Sequence, residues 1–147
     1  MHAYALKLIP PEDHALFTDL TRVVRAIPDA NIGIYDNRDV PIHCHVLTRA
    51  LNSVFPMLEV RDGFVSGAHY EHSWLVTSSG HIIDPCPIAM IGGPIMVDGD
   101  IPLWQTFYSS ECCFLHHHTD PFVSWVNNLT KVVVEAHEQL RKTGAIN

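Results

Sequence analysis

The stretch from Glu71 to Pro85, EHSWLVTSSGHIIDP, decides how the chain is read. Its first part is rich in β-forming residues, Ser78-Ser79-Gly80 carries turn chemistry, and HIID returns to an extended, apolar pattern. Two strands joined by a tight turn are predicted. His72 and Trp74 are two residues apart, so they share one face of the first strand. If the loop is odd in length and centred on Ser78, Asp84 on the second strand becomes the cross-strand neighbour of His72. A carboxylate in that place fixes one imidazole tautomer and stabilises the imidazolium when it forms.

Upstream stands the tripeptide HCH at 43 to 45. A helix is predicted over Pro41 to Phe55, with proline in its first turn, where a missing N–H costs nothing. Val46, Leu47, Ala50, Leu51 and Val54 recur at helical spacing and form its apolar stripe. Cys44 falls at the edge of that stripe, near the helix start, where the positive end of the helix favours thiolate over thiol. A thiolate used as a nucleophile needs an imidazole from another element, which makes His72 the candidate partner. The same helical geometry puts His43 on the apolar side, as a core histidine, and His45 toward solvent. Neither is expected to be the base. Trp74 is expected to pack in the core and could also wall a cleft.

Cys44 at a helix start, then His72-Ser73-Trp74 on a strand, then Asp84-Pro85 closing the next strand, resembles the transglutaminase-like branch of the papain-like cysteine protease superfamily. The resemblance covers roughly a third of the chain and implies a Cys44–His72–Asp84 triad with acyl transfer by way of a thioester, and no cofactor. Substrates implied by the branch are peptide-like or carry a carboxamide. Papain-like enzymes often place a glutamine upstream of the cysteine to bind the oxyanion. Here Asn37, in the YDNRD loop, is the residue available for that task beside the Cys44 backbone N–H.

The remaining sequence supplies a frame for this site. Residues 3 to 9 read as a short strand. EDHALFTDLTRVVRAI at 12 to 27 has Leu16, Leu20, Val23, Val24 and Ile27 at helical spacing, and Pro28 stops it. NIGIY at 31 to 35 is a short extended piece, MLEVRDGFVSG a strand, 85 to 103 mostly loop, and LWQTFYSS one more strand. A last helix runs from Asp120 and Pro121 to about Lys142, ending near Gly144. Its buried face is Phe122, Trp125, Val126, Leu129, Val132, Val133, Ala136 and Leu140. Helices followed by an antiparallel sheet and a closing helix make an α+β domain, and 147 residues suit a single one.

Composition narrows the function classes. A net charge of -7 argues against a nucleic-acid or anionic-membrane binder, which needs a basic surface. The most apolar stretch, IIDPCPIAMIGGPIMV, is broken by aspartate, prolines and glycines and makes a poor membrane span. No signal-peptide pattern opens the chain. Together with adjacent Cys112 and Cys113, this points to free thiols and a cytoplasmic setting. CCFLHHHTD at 112 to 120 raises a metal reading through His116 to His118, but it has neither CxxC nor HxxxH spacing. Two rivals to the enzyme follow: an inactive binding module on the same fold, and a metal-binding protein.

Overall fold

In the computed structural model, which describes residues 9–65, 70–86, 93–110 and 118–147, helix α1 (Pro11–Ala26) opens the chain. Pro11 occupies its first position, Glu12 and Asp13 sit in the first turn, and Phe17, Leu20 and Val23 form the buried stripe. The segment read as a strand at 3 to 9 lies, but for Ile9, outside the described residues. NIGIY is half of a hairpin rather than a lone extended piece: β1 (Ile34–Tyr35) pairs antiparallel with β2 (Arg38–Asp39). Asp36 and Asn37 form the two-residue turn with φ of 49° and 56°. A turn of that kind needs positive φ at both central residues, and Asp and Asn tolerate it best after glycine.

Helix α2 (Cys44–Val54) begins three residues later than the proline suggested. Pro41, Ile42 and His43 are not helical, and His43 with its extended backbone (φ -134°, ψ 166°) is the N-cap residue. Cys44 therefore becomes the first residue of the helix. Val46, Leu47, Ala50 and Leu51 are buried as their spacing predicts.

Five strands form one antiparallel sheet in the order β6-β5-β4-β3-β7. These are β3 (Glu59–Val65), β4 (Tyr70–Val76), β5 (Ile82–Asp84), β6 (Ile95–Val97) and β7 (Tyr108–Ser109). Strand β6 lies in the region expected to be mostly loop; its run IMV pairs with β5 between Pro94 and Asp98. LWQTFYSS is a helix first and a strand only at its end. Helix α3 (Pro102–Phe107) starts with proline at its first turn, and Trp104 and Phe107, three apart, meet edge to face at 5.9 Å. Phe107 then packs on Tyr108 at 5.0 Å. Aromatic packing against the sheet decides the conformation here over strand propensity. Helix α4 (Asp120–Lys142) has the bounds read from the sequence, with Thr119 as its N-cap residue and Gly144 beyond its end at φ 71°.

The sheet separates two apolar clusters. On one face α1, α2 and α4 bury Leu20, Val23, Leu51, Leu129 and Val133 against Leu75, Ile83 and Met96. On the other, Val65, Trp74, Ile82, Val97 and Tyr108 pack beneath Trp104 and Phe107 of α3. Alternation along β4 thus sends Ser73 and Leu75 toward the helices and His72 and Trp74 away from them. The architecture is α+β.

A polar clasp ties α1 to the β4–β5 turn. Oδ2 of buried Asp13 accepts hydrogen bonds from Thr77 Oγ1 at 2.9 Å, from His81 Nδ1 at 2.6 Å and from the Ser79 hydroxyl. Burial by itself would raise the Asp13 carboxyl, but these three bonds and the His81 charge hold it below the usual carboxylate range. A depressed carboxylate adds stability above its unfolded pKa, and that stability drains away as pH falls through the folded value. Asp13→Ala is expected to cost about 2–4 kcal/mol at pH 7 by stranding the buried Thr77 and His81 donors. A lower urea midpoint at unchanged slope, with the deficit shrinking toward pH 3, is the measurement that checks it.

Candidate active site

The β4–β5 turn sets where the histidine and the aspartate stand. Gly80, with φ 87°, closes a three-residue loop of Ser78, Ser79 and Gly80, held by the Thr77 N–H to His81 carbonyl bond at 2.9 Å. The loop is odd in length as expected, but it is centred on Ser79. The register pairs Leu75 with Ile83 and Val76 with Ile82. By continuation Asp84 stands opposite Trp74, so His72 is its diagonal neighbour on the same face. Diagonal pairs are within reach of an imidazole. His72 Nε2 lies 2.8 Å from Asp84 Oδ2, and both side chains are 1% exposed.

Asp84 is held on three sides. Its Oδ2 also accepts the Tyr108 hydroxyl at 2.9 Å, and its Oδ1 accepts the Cys86 backbone N–H at 3.0 Å. Burial first, and then the Asp84 charge, push the Tyr108 phenol well above its ordinary range. That phenol is therefore a fixed donor. With Nε2–H committed to the carboxylate, the neutral ring carries its lone pair on Nδ1. Nδ1 is buried and makes no hydrogen bond among the described residues.

Cys44 is half-buried at the helix start, with His43, His45 and His72 around its sulfur. Burial alone would raise the thiol. Hydrogen bonding from the three imidazoles and the charge of His45 outweigh it and bring the thiol down to about 4. His72 moves the other way: burial would lower it, but Asp84 and the Cys44 thiolate raise it to about 9. Cys44 and His72 thus influence one another, although no hydrogen bond to Nδ1 meets strict geometry among the described residues. Between these two values the pair is a thiolate and an imidazolium.

His45 does not face solvent as its helical position suggested. It is half-buried, and its Nδ1 lies 2.6 Å from Ser73 Oγ and 4.0 Å from Asp62 Oδ1. The protons can be assigned. Ser73 spends its single hydroxyl hydrogen on Asp62 Oδ1, 2.5 Å away, so Ser73 Oγ accepts and His45 Nδ1 donates. Arg49, one turn along α2, clamps Asp62 through two bonds of 3.1 and 2.7 Å. Burial would lower His45 and raise Asp62. The network reverses both, holding the imidazole up and the carboxyl well below its usual range. Its Nε2 is then the nitrogen offered to the sulfur. His43 is the N-cap residue and lies edge to face with Trp125 at 6.4 Å, half-exposed rather than in the core.

The remaining sequence candidates fall as follows. Trp74 is buried, stacked at 25° on His72 with centroids 6.4 Å apart, and it supports that ring from beneath. Asn37 is exposed at the tip of the β1–β2 turn, where its backbone conformation gives it a local task, and no site hydrogen bond reaches it. The backbone N–H groups of the first turn of α2 have no intrahelical partner and stand beside the sulfur. Cys86 is exposed, and burial of its thiol with the charges of Cys44 and Asp84 pushes it up. His116 and His117, Cys112 and Cys113 lie outside the described residues. His118 is exposed, and among the described residues no cluster of three metal-ligating side chains occurs. No helix of the described residues is long and apolar enough to cross a membrane.

Sequence reasoning missed Tyr108, Asp62 and Arg49. Tyr108 arrives from a strand that pairs with β3, Val65 opposite Tyr108, and no local spacing signals that. Asp62 had a usable signal, since β3 and β4 pair in the register that sets it opposite Ser73. Searches of protein-family models, of curated proteins and of solved structures found no match to this chain.

Tyr108→Phe removes one donor from Asp84 and leaves more of the carboxylate's hydrogen-bonding capacity to His72. Its grip on the His72 imidazolium tightens, so deprotonation of His72 is expected to move above about 9. Histidine ring shifts followed by NMR across pH 6–11 check the direction.

Proposed function

We propose that this chain is a cysteine-dependent acyl-transfer or amide-hydrolysing enzyme built on a papain-like, transglutaminase-like core. The observation that carries the reading is the His72–Asp84 pair, with Nε2 committed to the carboxylate at 2.8 Å and Nδ1 left for the Cys44 thiol at the start of α2. A cysteine on a helix N-terminus, facing a histidine and an aspartate on adjacent antiparallel strands, supports the resemblance read from HSW and IIDP.

In this reading the Cys44 thiolate attacks an amide or thioester carbonyl carbon. The C–S bond forms and the carbonyl electron pair moves onto oxygen. Backbone N–H groups of the first helical turn and the His45 Nε2–H stabilise that oxyanion, the task expected of Asn37. The tetrahedral adduct collapses, the bond to the leaving group breaks, and His72 Nδ1–H protonates the departing amine or thiol. Water or an amine then attacks the thioester while His72 takes its proton, and the C–S bond breaks to return the thiolate. Asp84 keeps the imidazolium in place throughout. Peptide-like or carboxamide-bearing compounds are the substrate class, with no cofactor, in a cytoplasmic setting.

The competing reading of an inactive binding module predicts ordinary thiols. Iodoacetamide at neutral pH, followed by peptide mass mapping, is expected to label Cys44 well ahead of Cys86, with the acid limb of Cys44 labelling near pH 4. Equal labelling of the two removes the enzyme. Turnover of a generic ester such as p-nitrophenyl acetate is expected to follow a bell whose limbs, near 4 and near 9, belong to the ion pair as a unit. Asp84→Asn is expected to lower kcat on the order of 10^3-fold or more through loss of the correct tautomer.

His45→Gln separates the two histidines. Alkylation needs only a thiolate, whereas acyl transfer also develops an oxyanion. The limiting alkylation rate at high pH is expected to stay within a few-fold of wild type, while the limiting ester turnover falls roughly 10^2-fold. A parallel fall in both would assign His45 to the sulfur alone.

A further inference from the structure

Beside the nucleophile lies a cavity of about 590 Å³ that the triad chemistry does not use. Tyr35, His43, His45, Phe122 and Trp125 supply its ring walls and Glu71 and Thr119 a polar share of the lining, so it reaches both chain neighbours of Cys44. Cys44 stands between these two lining residues in the chain, which sets the cavity next to the helix start that carries the sulfur. The size is that of a site for a small organic group rather than for a folded partner.

The walls are a set of aromatic edges and faces gathered on one residue. Trp125 meets Tyr35 edge to face at 5.7 Å and 88°, His43 at 6.4 Å and 83°, and Phe122 at 6.4 Å and 73°. Gly33 makes the first of these contacts possible: a Cβ there would stand 2.5 Å from Trp125 Cδ1. Asn128 Nδ2 donates to the Ile32 carbonyl at 2.9 Å and locks the β1–β2 hairpin onto α4. Arg49 lies 5.5 Å over the Phe122 ring, which ties that wall to the Asp62 clamp. The ring walls therefore come from three elements, β1, α2 and α4, held against one another, with β4 adding Glu71. Yet Tyr35 is 61% exposed, a large aromatic kept at the surface on the wall of this cavity.

We infer that this cavity is the acyl-group pocket of the site and takes a flat aromatic group of the acyl donor. Offset and edge-on ring contacts suit an aryl occupant, which buries the exposed Tyr35 face and leaves the Trp125 edge contacts intact. The inference rests on Cys44 being the nucleophile, and it narrows the substrate from any peptide-like amide to aryl-bearing acyl donors.

Two chloroacetamides separate this inference from the one beneath it. In both, the thiolate displaces chloride at the methylene carbon, forming the C–S bond. N-benzyl-2-chloroacetamide presents an aryl group and N-methyl-2-chloroacetamide does not. With rates normalised to glutathione and the labelled residue assigned by peptide mapping, the benzyl probe is expected to modify Cys44 roughly 10-fold faster or more, with saturation. The benzyl-to-methyl ratio is expected to fall toward one in Trp125→Leu and in Tyr35→Ala, the latter at an exposed position that the core does not need. Fast Cys44 labelling with equal rates for the two probes overturns the pocket and leaves the nucleophile standing. A benzyl preference that survives both substitutions also overturns it. Cys44 no faster than Cys86 with either probe overturns the nucleophile and the pocket together.

Discussion

A carboxylate and an imidazole, each 1% exposed, sit 2.8 Å apart on one face of the sheet, and the remainder of the site is arranged around that fact. Removing both charges from water costs several kcal/mol per ion, repaid only when the remaining lone pairs and protons are satisfied. For Asp84 they are: Tyr108, His72 and the Cys86 N–H occupy its two oxygens. For His72 they are not, because Nδ1 has no hydrogen-bond partner among the described residues. A fold under selection for stability alone has no reason to bury that nitrogen unpaired. Its position beside a thiol at a helix start supplies one. The energy held in the buried pair keeps one basic nitrogen in one place and one tautomer.

A second carboxylate system repeats the logic on the opposite face of β4. Adjacent residues in a strand point to opposite sides, so His72 and Ser73 serve different networks. Ser73 turns toward the helices and carries the hydrogen-bond chain from His45 to Asp62 and Arg49. The first turn of α2 thereby receives one imidazole from the strand and presents another of its own. His72 is fixed through Nε2 by Asp84, and His45 through Nδ1 by Ser73, which is itself bonded to Asp62; each has its other nitrogen left for the sulfur. These two rings, with His43 beside them, explain why the thiol's pKa falls so far despite burial. They also allow a division of labour in the proposed reaction, with one ring moving the proton and the other answering the charge on oxygen.

How much of this was legible depended on whether the information was local. The strand–turn–strand pattern of EHSWLVTSSGHIIDP, the stripe of α2 and the bounds of α4 are all written within a few residues, and each was readable. The pairing of His72 with Asp84 on one face followed from strand parity, which a shift of the loop centre from Ser78 to Ser79 does not alter. What local pattern could not supply was docking. Helical projection sent His45 to solvent because it could not show that β4 lies there with Ser73 facing it. Tyr108 was hidden for the same reason, and LWQTFYSS was misassigned because Trp104, Phe107 and Tyr108 take their conformation from one another and from the sheet. Asn37 illustrates the converse. Its position upstream of the cysteine suited an oxyanion donor, but the tight β1–β2 turn had first claim on its backbone.

The late start of α2 joins these observations. Had the helix begun at Pro41, Cys44 would lie a turn inside it, its N–H bonded within the helix and its side chain angled along the stripe. With His43 extended as the N-cap residue, the sulfur sits where the dipole is strongest and the backbone donors are free. The same extended residue turns its ring toward Trp125, so that one backbone choice opens the wall of the aromatic cavity as well. Proline at 41 supports this arrangement. It holds Asp-Val-Pro extended ahead of the turn into the helix, since the residue before a proline is steered away from helical geometry. The proposed nucleophile, oxyanion donors and acyl pocket are thus set by the conformation of the four residues between β2 and α2, and the buried His72–Asp84 pair gives that conformation its proposed chemical use.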